Sequence, residues 1–147
     1  MKKLLLIITL FIGLGNVNAQ SDATLEETIN WINEIALSRQ INSEKYNVTS
    51  INIDSNKKQI IYSRTYDSEE TDPVITKFNE NTALKIYYNT YCSCYAVYVE
   101  ISFGYFNLIR FSDKETAKRT YNAFDHLFKI LNIEVRRENK LAIENKF

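Results

Sequence analysis

Ser112–Asn132, SDKETAKRTYNAFDHLFKILN, is the stretch from which the fold is read. Ala117, Tyr121, Phe124, Phe128 and Leu131 recur at steps of four, three, four and three, one stripe of a helix with 3.6 residues per turn. Ala123, Leu127 and Ile130 widen the stripe into a face. Ser112 and Glu115 have the Ser-x-x-Glu spacing of a capping box, in which hydroxyl and carboxylate each accept a hydrogen bond from the other residue's backbone N–H. Such a face must cover something apolar, and the aromatic and β-branched segments just before it are its partner.

Those segments have a period of two, as strands require. Phe106–Phe111 runs directly into the helix, and Val97, Val99, Ile101 and Phe103 give the cleanest alternation in the chain. Leu84, Ile86 and Tyr88 form the inward face of the strand before that. Val74–Phe78 is a shorter strand between the acidic loop Asp67–Pro73 and the turn Asn79–Thr82. Further back, Ile51 and Ile53 alternate up to the turn cluster Asp54–Lys57, and Ile60, Tyr62 and Tyr66 alternate after it, which predicts a hairpin. Val48 is out of parity with Ile51 and Ile53, so a bulge is expected near Thr49 and Ser50. Thr24–Ser38 is a second helix, with Leu25, Ile29, Ile32, Ile35 and Ala36 on one face, Thr24 and Glu27 in capping-box spacing, and Trp31 at the margin.

The order is helix, about six short strands, helix. Links of a few residues force consecutive strands to pair antiparallel, because a parallel crossover needs a dozen or more. Gly104 is the only glycine after residue 19, so the hairpins are expected to turn on Asn, Asp and Ser in longer loops. The predicted fold is α+β: a curved antiparallel sheet flanked by an N-terminal and a C-terminal helix, in one domain over residues 20–132. Ile133–Phe147 is heavily charged and weakly alternating, and reads either as a last edge strand or as a tail.

Met1–Ala19 has two lysines, an apolar run from Leu4 to Leu14 and a small, polar end, the pattern of a secretory signal cleaved before Gln20. The run is shorter than the roughly 20 residues of a membrane span, so an exported protein with no span after cleavage is expected, in a periplasm or outside the cell. Cleavage removes Lys2 and Lys3 and leaves 16 basic against 18 acidic side chains. That balance lacks the basic stripe that neutralises a phosphate backbone, so nucleic acid is not an expected partner.

Two phrases carry a resemblance: T-x-x-E-T-x-x-W-I at Thr24–Ile32, and A-x-R-x-x-x-A-F-x-H-L at Ala117–Leu127, entered from F-S-D-K-E. With the leader and the strands between, they resemble small exported bacterial proteins of unassigned function, some of which are similar to a pleckstrin-homology-like roll. The resemblance implies a bent antiparallel sheet capped by a C-terminal helix and no catalytic residue. The chain departs from that roll in its strand count, about six against seven, and in its N-terminal helix.

Few residues suggest chemistry. Cys92-Ser93-Cys94 reads as a local disulfide or as two small side chains beside a turn. The sharper alternatives are thiol redox exchange and Cu(I) binding, for which soft thiolates are suited. Tyr87, Tyr88, Tyr95 and Tyr98 are the candidate binding residues: tyrosine packs well in strands, and exposed it gives a large contact area at little rotamer cost. Tyr88 and Tyr98 are expected to approach one another across the hairpin. His126 reads as a solvated or helix-margin histidine, Asp67, Glu69, Glu70 and Asp72 as a solvated loop without EF-hand spacing, and Asn47-Val48-Thr49 as a glycosylation sequon. No nucleophile elbow, zinc-binding His pair or phosphate-binding glycine loop occurs, so no enzyme activity, metal or cofactor is expected. The expected function is binding of a protein or small ligand. The alternatives are a thiol or Cu(I) role for Cys92 and Cys94, and a structural role as a homodimer paired through the C-terminal tail.

Overall fold

The computed structural model describes residues 23–43, 45–101 and 105–141, and of 105–108 the backbone only. The expected leader Met1–Ala19, Phe103 and Gly104, and the last six residues of the tail lie outside them. The chain runs through α1 (Leu25–Trp31), a π turn (Ile32–Ala36), a 3-10 turn (Leu37–Arg39), β1 (Tyr46–Asp54), β2 (Gln59–Tyr66), β3 (Glu69–Glu70) and β4 (Val74–Lys77). It continues with β5 (Ala83–Asn89), β6 (Cys94–Ile101), β7 (Tyr105–Phe111), α2 (Lys114–Ile130) and β8 (Arg136–Asn139). The fold is α+β.

The strands make two sheets. In the first, β2 pairs antiparallel with β1 on one side and with β3 and β4 on the other. In the second, the order is β7-β6-β5-β8, with β8 parallel to β5. Eight strands stand among the described residues where about six were expected: β3, folded back from the acidic loop, was not foreseen, and β8 takes the edge-strand alternative for the C-terminal stretch. The parallel pair departs from the all-antiparallel expectation because α2 separates β7 from β8, supplying a crossover long enough to bring the chain back in the same direction. Residues 136–139 therefore pair within the chain, so they do not hold that edge of β5 open for a second subunit.

Alternation places the core where the pattern predicted. Ile51, Ile53, Ile60 and Tyr62 of the first sheet and Leu84, Ile86, Val97, Val99, Ile101, Ile109 and Phe111 of the second are buried in one cluster with Ala117, Phe124, Leu127 and Phe128 of α2. Phe78, just after β4, meets Phe128 edge to face at 5.2 Å and joins the first sheet to the helix. The register shifts between Val48 and Ser50, where the bulge was expected.

Helix α2 differs from its prediction in two ways. Asp113, not Ser112, is the N-cap, its Oδ1 accepting from the Thr116 N–H at 2.7 Å. The carboxylate is the stronger acceptor, and the helix starts one residue later. Ile130, assigned to the apolar face, is 41% exposed, whereas Thr116 and Thr120 are buried. The Thr120 hydroxyl donates to the Thr116 carbonyl at 2.9 Å, so polar residues the pattern excluded fit the face without an unpaired group. In α1 the predicted box forms: Thr24 Oγ1 accepts from the Glu27 N–H and Glu27 Oε2 from the Thr24 N–H.

The loops also correct an expectation. The β1–β2 and β5–β6 hairpins use four-residue loops ending at Lys58 (φ 50°) and Ser93 (φ 50°), but β2–β3 turns on two residues, Asp67 (φ 49°) and Ser68 (φ 67°). That is the left-handed pair of a tight primed turn, made without glycine because a short polar side chain tolerates the region.

Candidate functional site

The four candidate tyrosines lie on one hairpin, and register decides where they point. Tyr88 stands opposite Tyr95, and Tyr87 opposite Ala96, two residues from Lys85↔Tyr98. Partners in an antiparallel pair share a face, so Tyr88 and Tyr95 belong with Leu84, Ile86, Val97 and Val99 on the core side, where both pack against the cluster. Tyr87 and Tyr98 project from the opposite side. The expected approach of Tyr88 to Tyr98 does not occur, because an even step along one strand and an odd step along the other put them on different faces. The pairs that do form are Tyr88–Tyr95, with ring centroids 5.1 Å apart, and Tyr87–Tyr98, at 6.1 Å and nearly edge to face.

The outer face around Tyr87 and Tyr98 is charged as well as aromatic. Lys85 Nζ lies 5.5 Å from the Tyr98 ring centroid, pairs with Glu100 across the strand and lies 3.5 Å from Glu138 on β8. Arg136 closes the circuit through Nε to Glu138 at 2.9 Å and through a guanidinium nitrogen to Glu100 at 3.6 Å. The hydrogen bond to Glu100 holds the Lys85 ammonium above its ordinary pKa, outweighing partial burial, and burial with the nearby Glu100 charge raises Tyr98. Four charges and two phenols are thus held in one layer, while Ala83 and Ala96 lie beneath them, fully buried. Lys85 and Glu100 were missed in the sequence, although the period of two that links them to Tyr87 and Tyr98 contains that information.

At the tip, Cys92 and Cys94 form a disulfide across Ser93, with Cα atoms 5.2 Å apart. Cys94 is buried and Cys92 exposed, and the neighbouring Tyr91 is fully exposed. A bridged pair presents no thiolate, so Cu(I) ligation requires reduction first.

Other candidates are placed as follows. His126 Nε2 lies 2.7 Å from the Ala23 carbonyl and ties α2 to the residue before the N-cap of the first helix, a partner its helix position did not reveal. Asp67, Glu69, Glu70 and Asp72 are exposed, and among the described residues no three His, Cys, Asp or Glu side chains are grouped to hold a metal. Asn47 of the sequon is half-buried and spends its amide on both peptide groups of Ser43. No helix among the described residues is long and apolar enough to cross a membrane. A hollow of about 660 Å³ beside the bulge is lined mainly by amides and hydroxyls, including Gln40, Asn42, Asn47 and Thr65, with Leu37 and Val48 as its apolar part. That lining does not resemble the mostly apolar walls of a small-molecule pocket. Comparison with protein-family models, curated proteins and solved structures finds no match to this chain.

Proposed function

We propose that this is an exported, non-enzymatic binding module whose recognition surface is the outer face of β5 and β6. The observation that carries the reading is the edge-on pair Tyr87–Tyr98, half-buried on a sheet face opposite the one that α2 covers. Two phenols fixed by each other and by Lys85 offer amphipathic contact area at low entropic cost, the property that makes tyrosine a frequent interface anchor. The polar lining of the hollow favours recognition of a partner's surface over enclosure of an apolar ligand. The pleckstrin-homology-like roll belongs to the same proposal. It is supported by two sheets in sequence followed by a capping helix, with α1 and β8 as additions.

The test is selection of a displayed peptide library on the immobilised protein, with the double variant Tyr87→Ser, Tyr98→Ser as counter-target. Binders that lose about tenfold or more in affinity for the variant are expected. Binders indifferent to the double substitution would remove this face from consideration.

A second reading rests on the unequal exposure of Cys92 and Cys94. An incoming thiolate attacks Cys92 Sγ, forms a mixed disulfide and releases Cys94 as thiolate. The second thiol of the same dithiol substrate then displaces Cys92, so the substrate leaves oxidised and the protein reduced. Incubation with a dithiol peptide and titration of the thiols released test it, and a bridge that stays intact ends it.

A further inference from the structure

Arg110 alternates outward on β7 between Ile109 and Phe111, which are fully buried in the core. It stands opposite Ala96, and Ala96 opposite Tyr87, so the three share the outer face of the second sheet. The β5–β8 register, carried one residue past Ile86↔Asn139, adds Lys140, whose N–H donates to the Ile86 carbonyl at 2.9 Å. One row thus runs across the sheet with a cation at each end and, between them, a small residue and one phenol of the Tyr87–Tyr98 pair.

The charges of this face do not balance. Glu100 and Glu138 are its only carboxylates among the described residues, and both are shared: Lys85 and Arg136 approach each of them, and Lys140 lies 3.7 Å from Glu138. Arg110 is in none of the ion pairs formed among the described residues, and its Nε–H is buried without an acceptor. Four cations, Lys85, Arg110, Arg136 and Lys140, therefore face two carboxylates, in a chain whose 18 basic and 18 acidic side chains cancel. The positive excess is local.

Uncompensated cations on a half-buried face favour a partner that brings the missing negative charge, and a guanidinium fork suits a carboxylate. The two ends of the row are three strand spacings apart, about 14 Å, the length of about four residues of extended chain. A single compact anion cannot reach both ends. Separate carboxylates on one extended segment can, with an apolar or aromatic side chain between them lying on Tyr87 and Tyr98.

We propose, resting on the Tyr87–Tyr98 face as the recognition surface, that its partner is an acidic extended segment of a protein, which seats one carboxylate on Arg110 and another, about four residues away, on Lys140.

Peptides displayed in a random library are selected on the immobilised wild-type protein and sequenced, and one binder is synthesised for fluorescence anisotropy. Aspartate and glutamate should be enriched among binders that depend on Tyr87 and Tyr98. Affinity should fall about tenfold or more in Arg110→Gln, by less in Lys140→Gln because that end is exposed, and should weaken as salt is raised. Replacing the peptide's carboxylates with amides should reproduce the loss on the wild-type protein, which decides the matter where Arg110→Gln fails to fold. Tyrosine-dependent binders that are neutral or basic, or that are indifferent to Arg110→Gln and to loss of their own carboxylates, would overturn the acidic partner and leave the face standing. Binders indifferent to the double substitution Tyr87→Ser, Tyr98→Ser, or no binders at all, would remove the face itself and the acidic partner with it. Inorganic polyphosphate that displaces the peptide at equal charge concentration would identify a general polyanion patch and overturn the assignment to a protein segment.

Discussion

Asn33 and Ile51 are joined by two hydrogen bonds: Asn33 Oδ1 accepts from the Ile51 N–H at 2.7 Å, and Asn33 Nδ2 donates to the Ile51 carbonyl at 2.7 Å. One side chain thus does for the open edge of β1 what a neighbouring strand would do, and Gln40 continues the task by donating to the Val48 carbonyl at 2.6 Å. Asn33 Nδ2 also reaches the Ile29 carbonyl at 3.1 Å, the acceptor its own backbone N–H takes in a regular helix. The helix widens into the π turn at this point, a local competition with a structural use.

Asn33→Ala should therefore leave both peptide groups of Ile51 without that partner and cost about 2 kcal/mol, seen as a lower urea midpoint at unchanged slope. Asn33→Asp should not rescue it, because a carboxylate can accept from the N–H but repels the carbonyl. Equal stability of wild type and Asn33→Ala would show that water replaces the amide at no cost.

The cap of α2 separates two adjacent residues. Asp113→Ala should cost about 1 kcal/mol and Ser112→Ala next to nothing, measured by chemical unfolding at pH 7. The bond from the Thr116 N–H holds the Asp113 carboxyl below its ordinary pKa, so its contribution is present above about pH 4 and is lost as pH falls through the depressed value. The stability gap between wild type and Asp113→Asn should therefore narrow on acidification. A gap that widens would reverse the assignment.

Phe124 and Ile130 were read onto one face, but only the first is buried. Phe124→Ala should cost about 3–5 kcal/mol through lost burial and the cavity left behind, whereas Ile130→Ala should stay within about 0.5 kcal/mol. Comparable losses at both positions would mean that the helix is rotated from the placement described.

The Cys92–Cys94 bridge closes a loop of three residues, so chain entropy allows it at most about 1.6 kcal/mol. Cys92→Ala, Cys94→Ala should remain folded with a small drop in melting temperature. After reduction of the native protein, an alkylating reagent should modify exposed Cys92 faster than buried Cys94. Equal rates would mean that reduction opens the whole tip.

Much of the architecture was legible in the chain because it rests on local rules. Periodicity marked both helices and the six principal strands, the parity break at Val48 marked the bulge, and Thr24 with Glu27 marked the first cap. The candidate site was less legible: Tyr88 was read onto the inward face with Leu84 and Ile86, but the pairs Tyr88–Tyr95 and Tyr87–Tyr98 were not foreseen. A strand's pattern says which residues share a face, not which residue of the next strand stands opposite.

Alone, then, the sequence determined the type and order of the two helices and six principal strands and most of the apolar core, since propensity, capping and hydrophobic period act over a few neighbouring residues. Only the tertiary structure decided that β8 lies parallel to β5, that Asn33 closes the edge of β1, and that Arg64 lies over the Tyr46 ring. Each of these joins residues at least 18 positions apart, and which distant segments meet depends on how the whole core packs.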